Sequence, residues 1–383
     1  MKGTVPEKEE FSVAATFKKM ISEKVYRAGA RCSMMSRQFS PLREDLRSLF
    51  PHVDPAQFVS RAVKFGVAGY GGRGKLIGRK LTELGFSVLG VHDSDPARLV
   101  DAPFRTFSSL DDLLVLDLDA LVISTWPAGH AVVAEKGLER GLDVFIEKPM
   151  GTSLHQSRRI VEAQEKAGRL VVVDYTERVN PAVLKLCEIA DLTQVMRSRE
   201  VRIGMFPPAK DGGRVGVTLD LASHGIDMVY HLFHARPTVK SAILTAKKAD
   251  DPEHGCVIEL ECGKVLSCIE AQYSNIRRRR LELDTDQEYY EVNYTPAALK
   301  VGLAPPKLSK RPRSFSDLEQ LSKNLEVPID VRKVEPLNMM LLLFAGSVRQ
   351  GTCIEPLCNA QEALVTAEVI SEVEQVAKHR ILE

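Results

Sequence analysis

Residues 63–93 read VKFGVAGYGGRGKLIGRKLTELGFSVLGVHD, and the order of patterns in this stretch decides the fold. An apolar run, Val63 to Ala68, leads into a glycine turn, Gly69 to Gly74, and then into Lys75 to Leu84 at helical spacing. Leu76, Ile77, Leu81 and Leu84 give that helix one apolar face to lay on a sheet. Val88 to Val91 forms a second apolar run, and Asp93 closes it. The unit is therefore strand, glycine loop, helix, strand.

Gly69, Gly71 and Gly74 fit G-x-G-x-x-G, in which the first glycine permits a tight turn, the second lets backbone approach a pyrophosphate, and the third packs helix on strand. A diphosphate would sit at the helix N-terminus, whose free N–H groups and positive dipole end favour an anion. Gly69, Gly71, Gly72, Arg73 and Gly74 are therefore read as cofactor contacts. Asp93 lies about 20 residues on, at the end of the second strand, where a carboxylate accepts both ribose hydroxyls. This favours NAD over NADP without excluding the latter. A glycine turn that binds nothing is the plain alternative, and the strand context together with Asp93 weighs against it.

A chain of 383 residues exceeds the usual limit of a single core, and 44% hydrophobic residues suffice for two. The net charge of +1 supplies no global field for nucleic acid or an anionic membrane. No run of about 18 apolar residues is present to span a bilayer, and the acidic Glu7-Lys8-Glu9-Glu10 does not resemble a targeting peptide. A cytoplasmic protein is expected, with no membrane or nucleic-acid partner. Seven cysteines without a C-x-x-C pair argue against a disulfide framework or a zinc knuckle. Residues 1–60 carry no dinucleotide signal and read as a helical N-terminal extension.

From 61 to 180 the alternation of strands and helices continues. Ser108 to Asp111 resembles a capping box, Ala120 to Thr125, Val144 to Ile146 and Leu170 to Val173 read as strands, and Thr152 or Ser153 caps a helix running to Lys166. This predicts a doubly wound parallel Rossmann domain, an α/β fold. Ligands in such sheets bind beyond the carboxyl ends of the strands, which places Thr125, Trp126, Glu147, Lys148 and the loop Tyr175 to Asn180 at the cofactor cleft. From 181 to 383 short strands with short connections predict a second α+β domain on an open, mainly antiparallel sheet, serving substrate binding and oligomerisation. Val217 to Phe233 is its main helix, and 295–316, rich in Pro, Lys, Arg and Ser, reads as loop. The open sheet face is a candidate subunit contact, so a homo-oligomer is expected.

The helix Val217 to Phe233 carries Asp220, His224, Asp227 and His231 on one face. His224, with an ordinary pKa of about 6.5, is the natural proton acceptor, oriented or charge-stabilised by Asp220. A divalent metal shared by the two is a second reading, but no other ligand cluster accompanies them, and no metal is expected. Asp227 and His231 are read as hydrogen-bonding along the helix. Lys148, at a strand end beside Glu147 and Pro149, is placed where a nicotinamide ring would end, although a strand-end lysine is more often an ordinary surface cation. The loop Gly204 to Gly213, including Lys210, and the residues Arg178 and Asn180 are read as substrate contacts. Arg277 to Arg280 is a candidate phosphate grip through charge-assisted hydrogen bonds, although such a run is usually solvated and alternation along a strand would split it across two faces.

The glycine loop, Glu147-Lys148-Pro149, and Asp220-Leu-Ala-Ser-His224 together resemble the glucose-fructose oxidoreductase, inositol dehydrogenase and MocA (Gfo/Idh/MocA) family. The resemblance runs from residue 62 to about 375. It implies an NAD(P)-dependent dehydrogenase acting on a secondary hydroxyl of a sugar or nucleotide sugar, with Lys148 and His224 at the carbon being oxidised and Asp220 beside them. Tyr175-Thr-Glu177-Arg178-Val-Asn180-Pro181, Arg202 to Pro208 and Glu335-Pro336-Leu337 are similar to the branch containing UDP-N-acetylglucosamine 3-dehydrogenases, which oxidise a 3-hydroxyl. That branch commonly has Phe at the place of Val179 and Asp at the place of Gly225, which leaves the sugar open. The reading from a different class is a non-catalytic NAD(P)-sensing regulator of the same fold.

Overall fold

The structure, a computed structural model, describes residues 63–205, 215–249, 251–303 and 326–382. The expected N-terminal helical extension and Lys210 lie outside these residues. The first sheet is built from β1 (Lys64–Ala68), β2 (Ser87–His92), β3 (Thr106–Phe107), β4 (Ala120–Ile123), β5 (Asp143–Ile146) and β6 (Val171–Val173). Their spatial order is β6-β5-β4-β1-β2-β3, all parallel. Strands β4, β5 and β6 are buried along their whole length, as expected of short Val- and Ile-rich runs covered on both faces. The helices α1 (Gly72–Glu83), α2 (Leu110–Leu114), α3 (His130–Glu139) and α4 (Leu154–Ala167) supply the crossovers.

The glycine loop is shaped by close backbone approach. Gly69 has φ of +89°, and a Cβ there would lie 2.4 Å from the Ser124 carbonyl. A Cβ on Gly74 would fall 1.9 Å from the carbonyl oxygen of Gly69. Both positions exclude a side chain for reasons internal to the fold. Ser153 caps α4 by accepting from the Gln156 N–H, whereas Ser109 makes no side-chain bond at the start of α2, so the capping interaction expected over 108–111 is absent.

After α5 (Pro181–Ile189) comes a nine-stranded sheet formed by β7 (Arg197–Gly204), β8 (Thr238–Ala246), β9 (Gly255–Cys262), β10 (Val265–Tyr273), β11 (Arg278–Asp284), β12 (Glu288–Tyr294), β13 (Ala297–Leu303), β14 (Glu326–Ile329) and the late strand β16 (Lys378–Ile381). It is mainly antiparallel, with β7–β10 and β8–β16 paired in parallel. Alternating burial along β10 turns Val265, Ile269, Ala271 and Tyr273 toward the covering helices, among them α6 (Ser223–Phe233). The opposite face is an ion-paired surface, for example Arg199 with Glu270 and Arg280 with Glu291.

Three expectations require correction. Residues 297–303 are strand rather than loop: the prolines around them interrupt the composition, but Leu299 and Val301 alternate into the core. The helix expected from Val217 begins as a π-helical turn over Thr218–Ala222 before α6 takes over. Finally, the chain does not stay in the second domain after residue 181. The helix α7 (Pro336–Gln350) packs Leu341, Leu343 and Phe344 against Phe65, Val122 and Phe145, and β15 (Cys358–Asn359) adds antiparallel to β6 before α8 (Ala360–Val376). The uncovered face of the first sheet must bury its apolar side somewhere, and this returning helix supplies the cover.

Gly74→Ala is expected to destabilise the protein by about 1–3 kcal/mol or more, because the methyl group meets backbone that cannot rotate away. Gly71→Ala, at φ of −70° and with its nearest neighbour the Arg98 Nη1 at 3.7 Å, is expected to cost under about 1 kcal/mol. Urea denaturation of the two variants checks the contrast.

Candidate active site

The carboxyl ends of the parallel strands converge on the glycine loop. α1 starts at Gly72 with no side-chain cap on Gly71, so its first N–H groups have no side-chain acceptor there. Gly71 and Gly72 differ from the other loop glycines in facing open space: nothing lies within 4 Å of a Cβ on Gly72. The loop is thus closed where it meets the sheet and open in front of the helix N-terminus, the arrangement that fits a dinucleotide diphosphate. Asp93, only 4% exposed, accepts the Tyr70 N–H at 2.7 Å and the Asp95 N–H at 2.9 Å, with the Arg98 Nη1 3.4 Å away. It stands where a ribose carboxylate is expected, and it also fixes the glycine loop.

Arg73 reaches back from the loop to pair with Glu147 at the end of β5 and with Asp174 after β6. Burial, with Glu147 next in weight, pushes the Asp174 carboxyl well above the usual carboxylate range, and one of its oxygens has no partner. His130 ties two cleft loops together: its Nδ1 lies 2.9 Å from the Pro149 carbonyl and its Nε2 3.1 Å from the Thr125 carbonyl. Burial lowers its pKa, and a neutral ring donates to only one of these two acceptors. Thr125 is thereby positioned through its backbone, while Trp126 projects at 41% exposure.

The catalytic candidates come from both domains. The Lys148 Nζ donates to the Asp220 Oδ1 at 2.6 Å and to its carbonyl at 2.7 Å. The Tyr273 hydroxyl donates to the other Asp220 oxygen at 2.9 Å. Burial acts to raise the Asp220 pKa, but Lys148 and these hydrogen bonds outweigh it and hold the carboxylate below its usual range. His224, 7% exposed, takes a different partner from the one expected. Its Nδ1 lies 2.8 Å from the Glu177 Oε2, in an approach bent away from the ring N–H axis, and the Tyr175 ring stands edge-on to it at 5.7 Å. Burial, opposed by Glu177 and reinforced by Arg202 and Lys148, pushes the imidazole down to about 4.

Glu177 belongs to a buried chain of polar groups. The Arg202 Nη1 donates to its Oε1 at 3.0 Å, the Arg202 Nε donates to Glu200 at 2.6 Å, and the Tyr294 hydroxyl donates to Glu200 at 3.0 Å. Arg279, on the inner face of β11, brings a guanidinium nitrogen to 3.7 Å from Glu177, while Arg280 turns outward to Glu291. Alternation does divide the basic run between two faces.

Two of the expected substrate contacts occupy structural positions. Arg178, 1% exposed, forms a forked pair with Asp227, with Nη2 at 2.7 Å, and a second pair with Glu362 at 2.8 Å. The same contact takes Asp227 off its own helix, where it was expected to bond. Asn180 caps α5 and donates to the Tyr294 carbonyl at 3.1 Å. Both side chains are buried and engaged with these partners. Among the described residues no group of three or more His, Cys, Asp or Glu side chains is arranged to hold a metal ion, and Asp220 and His224 diverge onto Lys148 and Glu177. Glu177, Arg202, Glu200 and Tyr273 were not singled out from the sequence as site residues. Glu177 entered only as part of the cleft loop Tyr175 to Asn180 and Arg202 only as the start of a segment carrying the finer resemblance, while Glu200 and Tyr273 carried no signal.

Residues 63–175 match a family model, GFO_IDH_MocA, described as an oxidoreductase family with an NAD-binding Rossmann fold. The chain is 23% identical over 244 residues to UDP-N-acetylglucosamine 3-dehydrogenase of Acidithiobacillus ferrooxidans, covering 62% of this chain and 76% of that protein. It is 32% identical over 140 residues to an inositol 2-dehydrogenase of Klebsiella pneumoniae, covering 34% of this chain and 42% of the relative. In fold it is similar to the solved structure of the Acidithiobacillus enzyme, with a TM-score of 0.69 at 19% identity over 83% of this chain and 98% of that one. It is similar also to KijD10, a 3-ketoreductase from Actinomadura kijaniata solved with NADP and TDP-benzene, with a TM-score of 0.71 at 14% identity over 84% of this chain and 100% of that one.

Arg178→Met is expected to cost about 3–5 kcal/mol, because Asp227 is left charged and uncompensated in the core. A denaturant midpoint checks this, and a variant of wild-type stability with impaired substrate binding would return Arg178 to the site.

Proposed function

We propose that this chain, whose residues 63–175 match the Gfo/Idh/MocA oxidoreductase family model, transfers hydride between a nicotinamide dinucleotide and a secondary hydroxyl of a sugar or nucleotide sugar. The observation that carries this reading is the meeting of Lys148, from the end of β5, with Asp220 from the second domain, one turn before His224. The 3-hydroxyl of a UDP-N-acetylhexosamine is the finer candidate, supported by the relative at 23% identity.

Gly71, Gly72 and the N-terminus of α1 would hold the diphosphate, Asp93 the adenosine ribose, and Glu147 with Thr125 and Trp126 the nicotinamide end. The bound cofactor supplies the acceptor for hydride. The rest falls to the chain. His224, neutral at physiological pH, takes the hydroxyl proton as the C–H bond breaks. Lys148, anchored by Asp220, offers its remaining N–H donor to the oxygen on which negative charge gathers. Tyr273 fixes Asp220 from the far side, so the lysine is held rather than free to swing. A regulator without turnover would have no use for a base and a donor brought together from separate domains.

Lys148→Met and His224→Ala are expected to lower kcat by about 10²- to 10⁴-fold while NAD affinity stays within a few fold. Steady-state rates on a nucleotide-sugar panel, with NAD binding measured separately, test this, and near-normal turnover in His224→Ala removes histidine from the mechanism. The sign of the pH dependence follows from the lowered pKa. The base is competent above about pH 4 and protonated below it, so kcat/KM should fall on the acid side near pH 4 rather than near 6.5. A limb near 6.5 would mean that His224 is not buried as described.

Asp93 disfavours a 2′-phosphate, whereas Arg98 beside it is the group that would accommodate one. NAD should therefore bind more tightly than NADP, and Arg98→Ala should weaken NADP more than NAD. Fluorescence titration of both nucleotides decides between this and an NADP-preferring site.

A further inference from the structure

We propose that Glu177 is a positioning residue that holds His224 in the tautomer carrying its proton on Nδ1, so that Nε2 keeps the lone pair that receives the substrate proton. The proposal rests on the reading of His224 as the base and goes beyond it by assigning what sets that base. Three observations carry it. The Glu177 Oε2 is 2.8 Å from Nδ1, and a carboxylate at that position accepts an N–H but has nothing to donate. Glu177 cannot turn away, because its other oxygen accepts from the Arg202 Nη1 at 3.0 Å and both residues are buried. Arg202 is fixed in turn by Glu200 at 2.6 Å and by the Tyr294 ring, 4.9 Å from its guanidinium carbon.

Asp220 does not fill this role, since its two oxygens are committed to Lys148 and Tyr273. The bent approach of Glu177 suits a base awaiting its substrate, since catalytic hydrogen bonds tighten in the ternary complex. When the substrate O–H bond breaks and an N–H bond forms at Nε2, the imidazole becomes a cation and Nδ1 keeps its proton. The Glu177 carboxylate then faces a full positive charge with both groups buried, the logic of a carboxylate–histidine pair.

Glu177→Gln is the informative variant because Arg202 dictates how the new amide lies. The guanidinium donates to the position of Oε1, so the amide oxygen stays there and the NH₂ group turns toward Nδ1. The ring must then accept at Nδ1 and carry its proton on Nε2, the wrong tautomer for a base. The expected result is a loss in kcat of about 10²- to 10⁴-fold, with KM and NAD affinity within about twofold. Glu177→Asp, which restores a carboxylate, should recover part of the loss. The charged and titratable groups facing His224 are Glu177, Arg202, Lys148, Asp220 and the Tyr175 phenol, with Arg279 reaching it through Glu177. Removing the one that raises its pKa should move the acid limb of the residual rate to lower pH.

The ring ¹⁵N shifts of His224 report the tautomer without turnover, and they are read first in the unmutated protein. Nδ1 protonated in the wild type and Nε2 protonated in Glu177→Gln supports the assignment. Nδ1 unprotonated in the wild type overturns it, even if the variant does not fold. Wild-type kcat and an unchanged tautomer in Glu177→Gln also overturn it. Normal turnover in His224→Ala would instead sink the reading of His224 as the base, a separate failure.

Discussion

The contact between Lys148 and Asp220 is the constraint from which the rest of the cleft follows. A lysine at the end of a buried strand has a fixed root and four rotatable bonds, so its ammonium is placed only if something outside the strand holds it. Asp220 does so with both a carboxylate oxygen and its backbone carbonyl, and Tyr273 holds Asp220. The three residues come from a cleft loop of the first sheet, a π-helical turn and the end of β10. Their meeting fixes how the π-helical turn and α6 face the strand ends of the first sheet, and His224 inherits its location from that choice.

Two polar systems beside this contact do different work. Arg178, Asp227 and Glu362 lie in the core and tie the loop after β6 to α6 and to the start of α8. An ion pair so deep contributes little net stability over an apolar isostere but is costly to break on one side, so it acts as a latch on geometry. The chain from Glu177 through Arg202 to Glu200 lies nearer the cleft and reaches His224. Burial opposes charge on Glu200 strongly enough to bring its carboxyl up to about 7, despite Arg202 and the Tyr294 hydrogen bond. The four-residue segment Thr176–Val179 thus sends one side chain to the site and the next into the core.

The fold of the first domain was legible because its rules are local. The glycine at 74 is demanded by a backbone atom five residues earlier, and the strands are short runs that nothing else explains. The catalytic candidates were legible for a similar reason, as each sits in a short motif. What could not be read was the pairing. Asp220 and His224 lie four apart, which on an ordinary helix stacks them, but the π-helical turn between Thr218 and Ala222 changes the rotation and sends them to different partners. Arg178 and Asn180 looked like cleft residues because they follow a strand end. Only the positions of Asp227, Glu362 and Tyr294, remote in sequence, show that they face inward. The strand over 297–303 was hidden because composition outweighed a weak alternation.

The return of the chain to the first sheet bears on how the molecule is made. Phe344 lies against Phe65 and Phe145, and Cys358 pairs with Val173, so the nucleotide-binding half has neither its full cover nor its last edge strand until α7 and β15, which follow β7 to β14 in the chain, have left the ribosome. Its apolar face waits while roughly 170 further residues are synthesised, at roughly 5–20 residues per second. The half that looks most like a self-contained module in sequence is therefore not complete until a distant helix and edge strand return to it.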